Sequence, residues 1–182
     1  MEKTEKRLSS MGGQFLSLDA KGRFTWPAVY QRQFDVLGVK WFKLTFGPSK
    51  ADERYLEVWP DIFWKQHVKE LMENLPDSQL PYYMTYYIEP AIKTGADKQG
   101  RMIMPSVLRD YMQLDARSGD DEAAEGSMFM VATLTHFRLY RWDYFTRSMG
   151  AKASNMLTEE EKAGSDGLYD RTAIIKSVDD EE

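Results

Sequence analysis

The stretch Asp19-Ala-Lys-Gly-Arg23-Phe-Thr-Trp-Pro27-Ala-Val29-Tyr-Gln-Arg-Gln-Phe34 returns 78 positions later as Asp97-Lys-Gln-Gly-Arg101-Met-Ile-Met-Pro105-Ser-Val107-Leu-Arg-Asp-Tyr-Met112. Asp, Gly, Arg, Pro and Val recur at the same offsets, and apolar residues fall opposite apolar residues. Solenoid units repeat every 20–50 residues or so, and this period is longer. The spacing therefore predicts two copies of one small unit in a single chain, packed as a pseudo-dimer.

Around each copy the local signals agree. Gln14 to Leu18 reads as a short strand. Asp19-Ala-Lys-Gly22 is a turn, since Asp suits its first position and Gly supplies a positive φ. Arg23 to Trp26 reads as the return strand. Pro27, which lacks an N–H, suits the first turn of a helix, and Tyr30, Phe34 and Leu37 lie at i, i+4 and i+7 on one face of it. Trp26 is a poor N-cap, so packing must stabilise the helix entry. Trp41–Phe46 and Tyr55–Trp59 flank the turn-forming cluster Gly47-Pro-Ser-Lys-Ala-Asp52 and read as a hairpin. Pro60-Asp61 opens a helix to about Leu75, with Ile62, Val68, Leu71, Met72 and Leu75 as its apolar positions.

The second half repeats this order. A strand over 88–95 leads to the turn Asp97–Gly100, a strand Arg101–Met104, and a helix from Pro105 with pairs Val107/Tyr111 and Leu108/Met112. Ser127–Thr133 and His136–Arg141 form a second hairpin, in which Phe137-Arg-Leu-Tyr140 echoes Leu56-Glu-Val-Trp59, and another helix begins near Trp142-Asp143. These signals divide the chain into a charged arm (1–11), a first half (12–75), a connector (76–90), a second half (91–150) and an acidic, mobile C-terminal segment (151–182). The connector is rich in Pro and Tyr. A short helix there would set Tyr82 over Tyr86 and Tyr83 over Tyr87, as an interface face. The acidic stretch 115–126 reads as a mobile loop.

Composition bounds the function. With 42% hydrophobic and 13% aromatic residues the chain can build a core, which excludes a disordered protein. It has no cysteine, and so no disulfide framework or thiolate metal site, as expected of a reducing compartment. No apolar run approaches the roughly 18 residues of a membrane helix, and the N-terminus lacks the apolar core of a signal peptide. The expectation is a cytoplasmic protein without membrane contact. The formal net charge is −5, but the acidity is local. Residues 158–182 hold nine acidic and three basic residues, leaving 20 acidic and 21 basic in 1–157. A near-neutral body can still carry a basic face, and phosphate binding depends on local charge.

Each half thus runs strand, Asp-x-x-Gly-Arg turn, strand, Pro-started helix, hairpin, helix. The paired runs Leu18-Asp-Ala-Lys-Gly-Arg-Phe-Thr-Trp-Pro27 and Ala96-Asp-Lys-Gln-Gly-Arg-Met-Ile-Met-Pro105 resemble the paired Asp-x-x-x-Arg signature of the MraZ family, over about residues 12–150. The resemblance implies an α+β fold of two tandem AbrB-like (swapped-hairpin) β halves, forming a pseudo-dimeric β core with peripheral helices. It further implies a nucleoid-associated bacterial transcriptional regulator. Such a protein would form a ring homo-oligomer on direct repeats of double-stranded DNA and repress its own division and cell-wall operon. The family motif falls on Asp19 and Arg23 in the first half and on Asp97 and Arg101 in the second. The second copy has Gln99 where the first has Lys21. The N-terminal arm, the 115–126 insert and the acidic C-terminus extend beyond the family outline.

Residue chemistry supports a DNA-contact reading at these turns. Arginine offers a planar fork of donors suited to phosphate and to the acceptor edge of guanine, so Arg23 and Arg101 are the candidate DNA contacts. The competing reading is an ordinary hairpin ion pair with Asp19 or Asp97, and the two can coexist if Asp orients Arg. Lys21 and Lys98, at non-equivalent turn positions, are candidate phosphate anchors that also fit plain solvated lysines. Asp19, Asp97, Gly22 and Gly100 support the turns. Trp26, Trp41, Trp59 and Trp142 read as packing residues rather than base-stacking platforms. His67 and His136 have no ligand pattern around them and are accounted for by a helix surface and a hairpin tip. No Walker loop, dinucleotide fingerprint or zinc spacing is present; the expectation is a protein without catalysis, cofactor or metal. The alternatives are an AbrB-type module that covers a protein partner, as antitoxins do, and a scaffold ring without DNA binding.

Overall fold

The computed structural model describes Leu8 and residues 12–48, 54–114 and 127–147. Most of the N-terminal arm, the acidic insert 115–126 and the acidic C-terminal segment lie outside the described residues. Two compact units divide the chain, Met1–Phe145 and Thr146–Glu182. Of the second unit only Thr146 and Arg147 are described, both helical.

The first unit is α+β. Its strands are β1 (Gly13–Ser17), β2 (Arg23–Thr25), β3 (Trp41–Phe46), β4 (Tyr55–Pro60), β5 (Ile92–Gly95), β6 (Arg101–Ile103), β7 (Ser127–Ala132) and β8 (Phe137–Arg141). Its helices are α1 (Ala28–Leu37), α2 (Asp61–Asn74), α3 (Leu80–Tyr83) and α4 (Ser106–Met112), with a π-helical turn at Met84–Ile88. Residues 142–147 are helical after β8.

Six strands form one antiparallel sheet in the order β1-β7-β8-β4-β3-β5. Its centre is the pair β4·β8, one strand from each predicted hairpin. The outer strands are exchanged. β1, which precedes the first Asp-x-x-Gly-Arg turn, lies against the second hairpin in the register Phe15↔Phe129. β5, which precedes the second turn, lies against the first hairpin in the register Lys43↔Lys93. The short strands after the turns, β2 and β6, leave this sheet and pair with each other. The return strand read from Arg23–Trp26 therefore exists, but its ladder partner is Arg101–Ile103 and not β1. A three-residue strand cannot satisfy its hydrogen bonds alone, and the copy of itself 78 residues on supplies them.

Alternation sets the faces. In β2 and β6 the middle residues Phe24 and Met102 are buried at 1% and 0%, while their neighbours are half-buried or exposed. The core draws evenly on both copies. Trp26 packs its ring 5.4 Å from Phe24, 5.1 Å from Phe34, 5.3 Å from Phe42 and 4.7 Å from Phe137. Tyr30 and Phe34 of α1 and Leu108 and Met112 of α4 are buried, as the i, i+4 spacing predicts, whereas of the other predicted pair on α4 Val107 is exposed and Tyr111 half-buried. Pro27 and Pro105 occupy the cap positions of those two helices, with no side-chain cap bond.

The connector departs from expectation. The predicted strand 88–95 starts only at Ile92, because the preceding residues form the π-helical turn, closed by Glu89 N–H donating to Met84 O at 2.9 Å. The wider turn is held from the sheet by Thr45 Oγ1, which donates to Tyr87 O at 2.5 Å. The predicted tyrosine pairs meet, though not as stacked rings: Tyr82/Tyr86 are tilted with centroids 5.1 Å apart, and Tyr83/Tyr87 meet edge to face at 6.0 Å. Of these rings, Tyr87 is buried while Tyr82 and Tyr86 are exposed. In α2 the buried residue is Trp64, which packs with Trp59 and Tyr87; Ile62 and Met72, read as apolar-face residues, are exposed.

Candidate nucleic-acid interface

The two turns have nearly the same geometry. In the first, Asp19 Oδ1 accepts the N–H groups of Lys21 and Arg23, both at 2.9 Å. Its Oδ2 accepts Arg23 Nε at 2.7 Å and Nη2 at 2.6 Å. In the second, Asp97 Oδ1 accepts the N–H groups of Gln99 at 2.9 Å and Arg101 at 3.0 Å, and its Oδ2 takes Arg101 Nε at 2.8 Å and Nη2 at 2.7 Å. Each backbone closes as Asp N–H to Arg C=O and Gly N–H to Asp C=O. Gly22 and Gly100 adopt φ of 70° and 73°, a region where a Cβ would be strained. One carboxyl thus organises both the loop and the guanidinium. The Arg23 hydrogen bonds hold the Asp19 carboxyl down at about 2 and those of Arg101 lower that of Asp97, so both acids stay ionised at neutral pH. Two of each arginine's five N–H donors go to its own Asp.

The turns are cross-braced through the backbone. Trp26 N–H donates to Gly100 O and Met104 N–H to Gly22 O, both at 2.9 Å. Between them β2 and β6 run antiparallel, with Arg23 opposite Ile103 and Thr25 opposite Arg101. Directly opposed residues share a face, and so do alternate residues of one strand. Arg23, Thr25, Arg101 and Ile103 therefore project from one side of the ribbon, while Phe24 and Met102 fill the core on the other. Thr25 and Ile103 are exposed. The structure thus brings Arg23 and Arg101 together on one surface, with the turns of Lys21 and Lys98 at its two ends.

Beside the second turn lies a cleft of about 630 Å³, whose lining includes Trp26, Gln31, Trp41, Asp97, Lys98 and Gly100. Two residues not singled out from the sequence brace the turns. Gln31 Nε2 donates to Trp26 O at 2.6 Å, and Arg109 Nη1 to Met104 O at 3.4 Å. Both stand four places after the repeated proline, an equivalence present in the repeat itself.

The histidines sit where the sequence places them, His67 on α2 and His136 in the turn between β7 and β8, but His67 is half-buried and His136 buried. His67 and His136 both stack on one side chain, Trp59, at centroid distances of 4.0 and 4.1 Å. Tyr87 Oη and Trp59 Nε1 donate to Glu57 Oε2 at 2.6 and 2.9 Å, and His67 Nε2 lies 2.9 Å from Tyr87 Oη. His136 Nε2 and Arg138 Nε each lie 3.6 Å from Glu57 Oε1. Burial, with the charge of Arg138 beside it, pushes the His136 imidazole down to about 3, so at neutral pH it is uncharged and its approach to Glu57 is not an ion pair. The cluster joins β4, β8, α2, the β7–β8 turn and the π-helical turn, so a helix position and a hairpin-tip position are enclosed together. Among the described residues no group of three or more His, Asp or Glu could hold a metal, and no helix is long and apolar enough to cross a membrane.

Fold and site together define a class: an internally repeated α+β protein that presents two Asp-held arginines on one shared β-ribbon. No family model matches the chain. It is 32% identical over 107 residues to the transcriptional regulator MraZ of Desulfitobacterium hafniense (strain DSM 10664 / DCB-2), an alignment covering 58% of this chain and 68% of that protein. It is also 32% identical over 107 residues to the MraZ of Carboxydothermus hydrogenoformans, with the same coverage. To the MraZ of Lachnoclostridium phytofermentans it is 34% identical over 99 residues, 54% of this chain and 64% of the relative. The chain belongs to the MraZ family of transcriptional regulators.

Proposed function

We propose that the protein is a sequence-specific, double-stranded-DNA-binding transcriptional regulator whose reading surface is the β2·β6 ribbon and its two turns. The observation that carries this reading is the placement of Arg23 and Arg101 on one solvent face, each clamped by its own aspartate. Pre-oriented guanidinium forks suit the O6/N7 edge of guanine, and a two-stranded ribbon fits the major groove. Lys21 and Lys98 serve as phosphate anchors that fix register without reading sequence. The exchanged strands accord with an AbrB-like swapped-hairpin arrangement of the halves 12–75 and 91–150.

One ribbon offers few base contacts, so affinity comes from several copies of the chain engaging successive direct repeats as a ring, where linked sites raise avidity. The regulatory outcome we propose is repression of the protein's own division and cell-wall operon, in the cytoplasm at the nucleoid. The test is binding to duplex from upstream of its own gene and to a scrambled duplex of equal length, over a salt series, for wild type and Arg23→Ala/Arg101→Ala. Specific binding that weakens steeply with salt and is lost in the double variant supports the reading. A folded wild type that does not distinguish the duplexes refutes it.

A further inference from the structure

Gln31 and Arg109 hold the same place in the two sequence copies, four residues after Pro27 and Pro105. Each side chain bonds back to the carbonyl that precedes its proline. Each also lies in the notch left by the glycine of the other copy's turn. A Cβ on Gly22 would stand 1.6 Å from Arg109 Nη1, and one on Gly100 would stand 2.3 Å from Gln31 Cδ. The first turn is thus roofed by a side chain of α4 and the second by a side chain of α1.

The places are equivalent but the chemistry is not. Arginine is charged at every accessible pH, and glutamine is neutral. The first turn gathers three cationic side chains, Lys21, Arg23 and Arg109, around Asp19, whereas the second gathers two, Lys98 and Arg101, around Asp97. Where the first copy has Lys21 the second has Gln99, so each turn draws its cations from different positions.

We infer that Arg109 is a further phosphate-contact residue of the first turn, supplied from the second copy, and that it makes this turn the stronger electrostatic anchor of the two. The inference rests on the DNA-binding reading above. The glycine is what permits it: without a Cβ at Gly22 the guanidinium comes within contact distance of the loop that carries Lys21 and Arg23. Reduced to its elements, the repeat builds two similar readers and then charges them unequally through one substituted helix position.

The experiment measures the slope of log affinity against log salt for wild type, Arg109→Gln, Gln31→Arg and the exchange Arg109→Gln/Gln31→Arg, with Arg23→Ala/Arg101→Ala as control and thermal melts to establish folding. Each phosphate contact contributes about 0.9 to the slope. Arg109→Gln is expected to make it shallower by about 1, Gln31→Arg to steepen it by about 1, and the exchange to restore the wild-type value. A folded Arg109→Gln with an unchanged slope overturns the inference and leaves the DNA reading standing. If Arg109→Gln does not fold, Gln31→Arg decides: an unchanged slope there also overturns it. A wild type that binds no duplex specifically removes the DNA reading and this inference together.

Discussion

Arg23 and Arg101 stand diagonally across a single antiparallel ribbon, Arg23 opposite Ile103 and Arg101 opposite Thr25, so that residues 78 apart in sequence share one solvent face. Diagonal neighbours on such a ladder are about 7–8 Å apart at Cα. Each copy's own turn aims its arginine, but only the pairing of copies puts both on one surface.

The arginines and lysines of this surface are expected to fail in different ways. Arg23→Ala or Arg101→Ala should cost about 1–3 kcal/mol of specific binding and relax sequence preference at one position, if the fork meets a base edge. Lys21→Ala or Lys98→Ala should weaken specific and scrambled duplexes alike and lower the salt slope by about 1. Gel-shift titrations against a panel of single-base variants separate the two patterns.

Three glycines with left-handed φ give a graded test of the turn geometry. Gly38 (φ +70°) has open space where a Cβ would point, whereas at Gly22 a Cβ would strike Arg109 and at Gly100 it would strike Gln31. Gly38→Ala should therefore cost only the backbone penalty of about 1–2 kcal/mol. Gly22→Ala should cost that much plus displacement of Arg109, and should also reduce DNA affinity. Urea unfolding of the purified variants measures the first quantity, and the gel-shift assay the second.

Trp26 ties both sequence copies to one core. It contacts Phe24, Phe34 and Phe42 from the N-terminal side of the chain and Phe137 from the C-terminal side. Trp26→Ala should destabilise the unit by about 3–5 kcal/mol. Because β1 and β5 are exchanged between hairpins, probes in β3 and β7 should report one shared transition. Two separated transitions would show that the halves fold independently.

Acid should act on the two kinds of titrating group in different windows. His136 is held neutral, with its pKa lowered from 6.5 to about 3 by burial and by Arg138. Between those values the unfolded chain binds the proton and the folded one does not. Stability should therefore fall as pH drops from about 6.5, by up to about 1.4 kcal/mol per pH unit. His136→Gln should flatten that slope in chemical denaturation. Asp19 titrates from 3.8 down to about 2, so its contribution is present above pH 4 and is lost only below it. Carboxyl-carbon NMR shifts of Asp19 should stay those of the ionised form at pH 3.

Most local structure was legible because it is set by short-range rules. Asp followed three places later by Gly specifies the turn, the proline specifies the helix start, and the i, i+4 apolar pairs Tyr30/Phe34 and Leu108/Met112 specify which faces are buried. Where prediction and structure part, a longer-range contact has intervened. Ile62 and Met72 fit a helical face but are exposed, because the partner of α2 is the aromatic cluster of Trp59 and Tyr87, which selects Trp64. The strand expected from residue 88 begins at Ile92, because Thr45 takes the carbonyl of Tyr87 and favours the π-helical turn. His67 and His136 carry no sequence signal of their shared stacking on Trp59, since they are 69 positions apart and meet only when β4, β8 and α2 assemble.

By itself, the sequence determined that one unit is written twice, where each turn bends, and which arginine each aspartate holds, all interactions within a few residues. The tertiary structure alone decided that β2 pairs with β6, that β1 and β5 cross to the opposite hairpins, and that Arg109 roofs the turn of Gly22. Backbone ladders are nearly indifferent to residue identity, so either copy could pair with itself or with the other. The choice falls to packing, which buries Phe24, Trp26, Met102 and Met104 in one core only when the copies interlock.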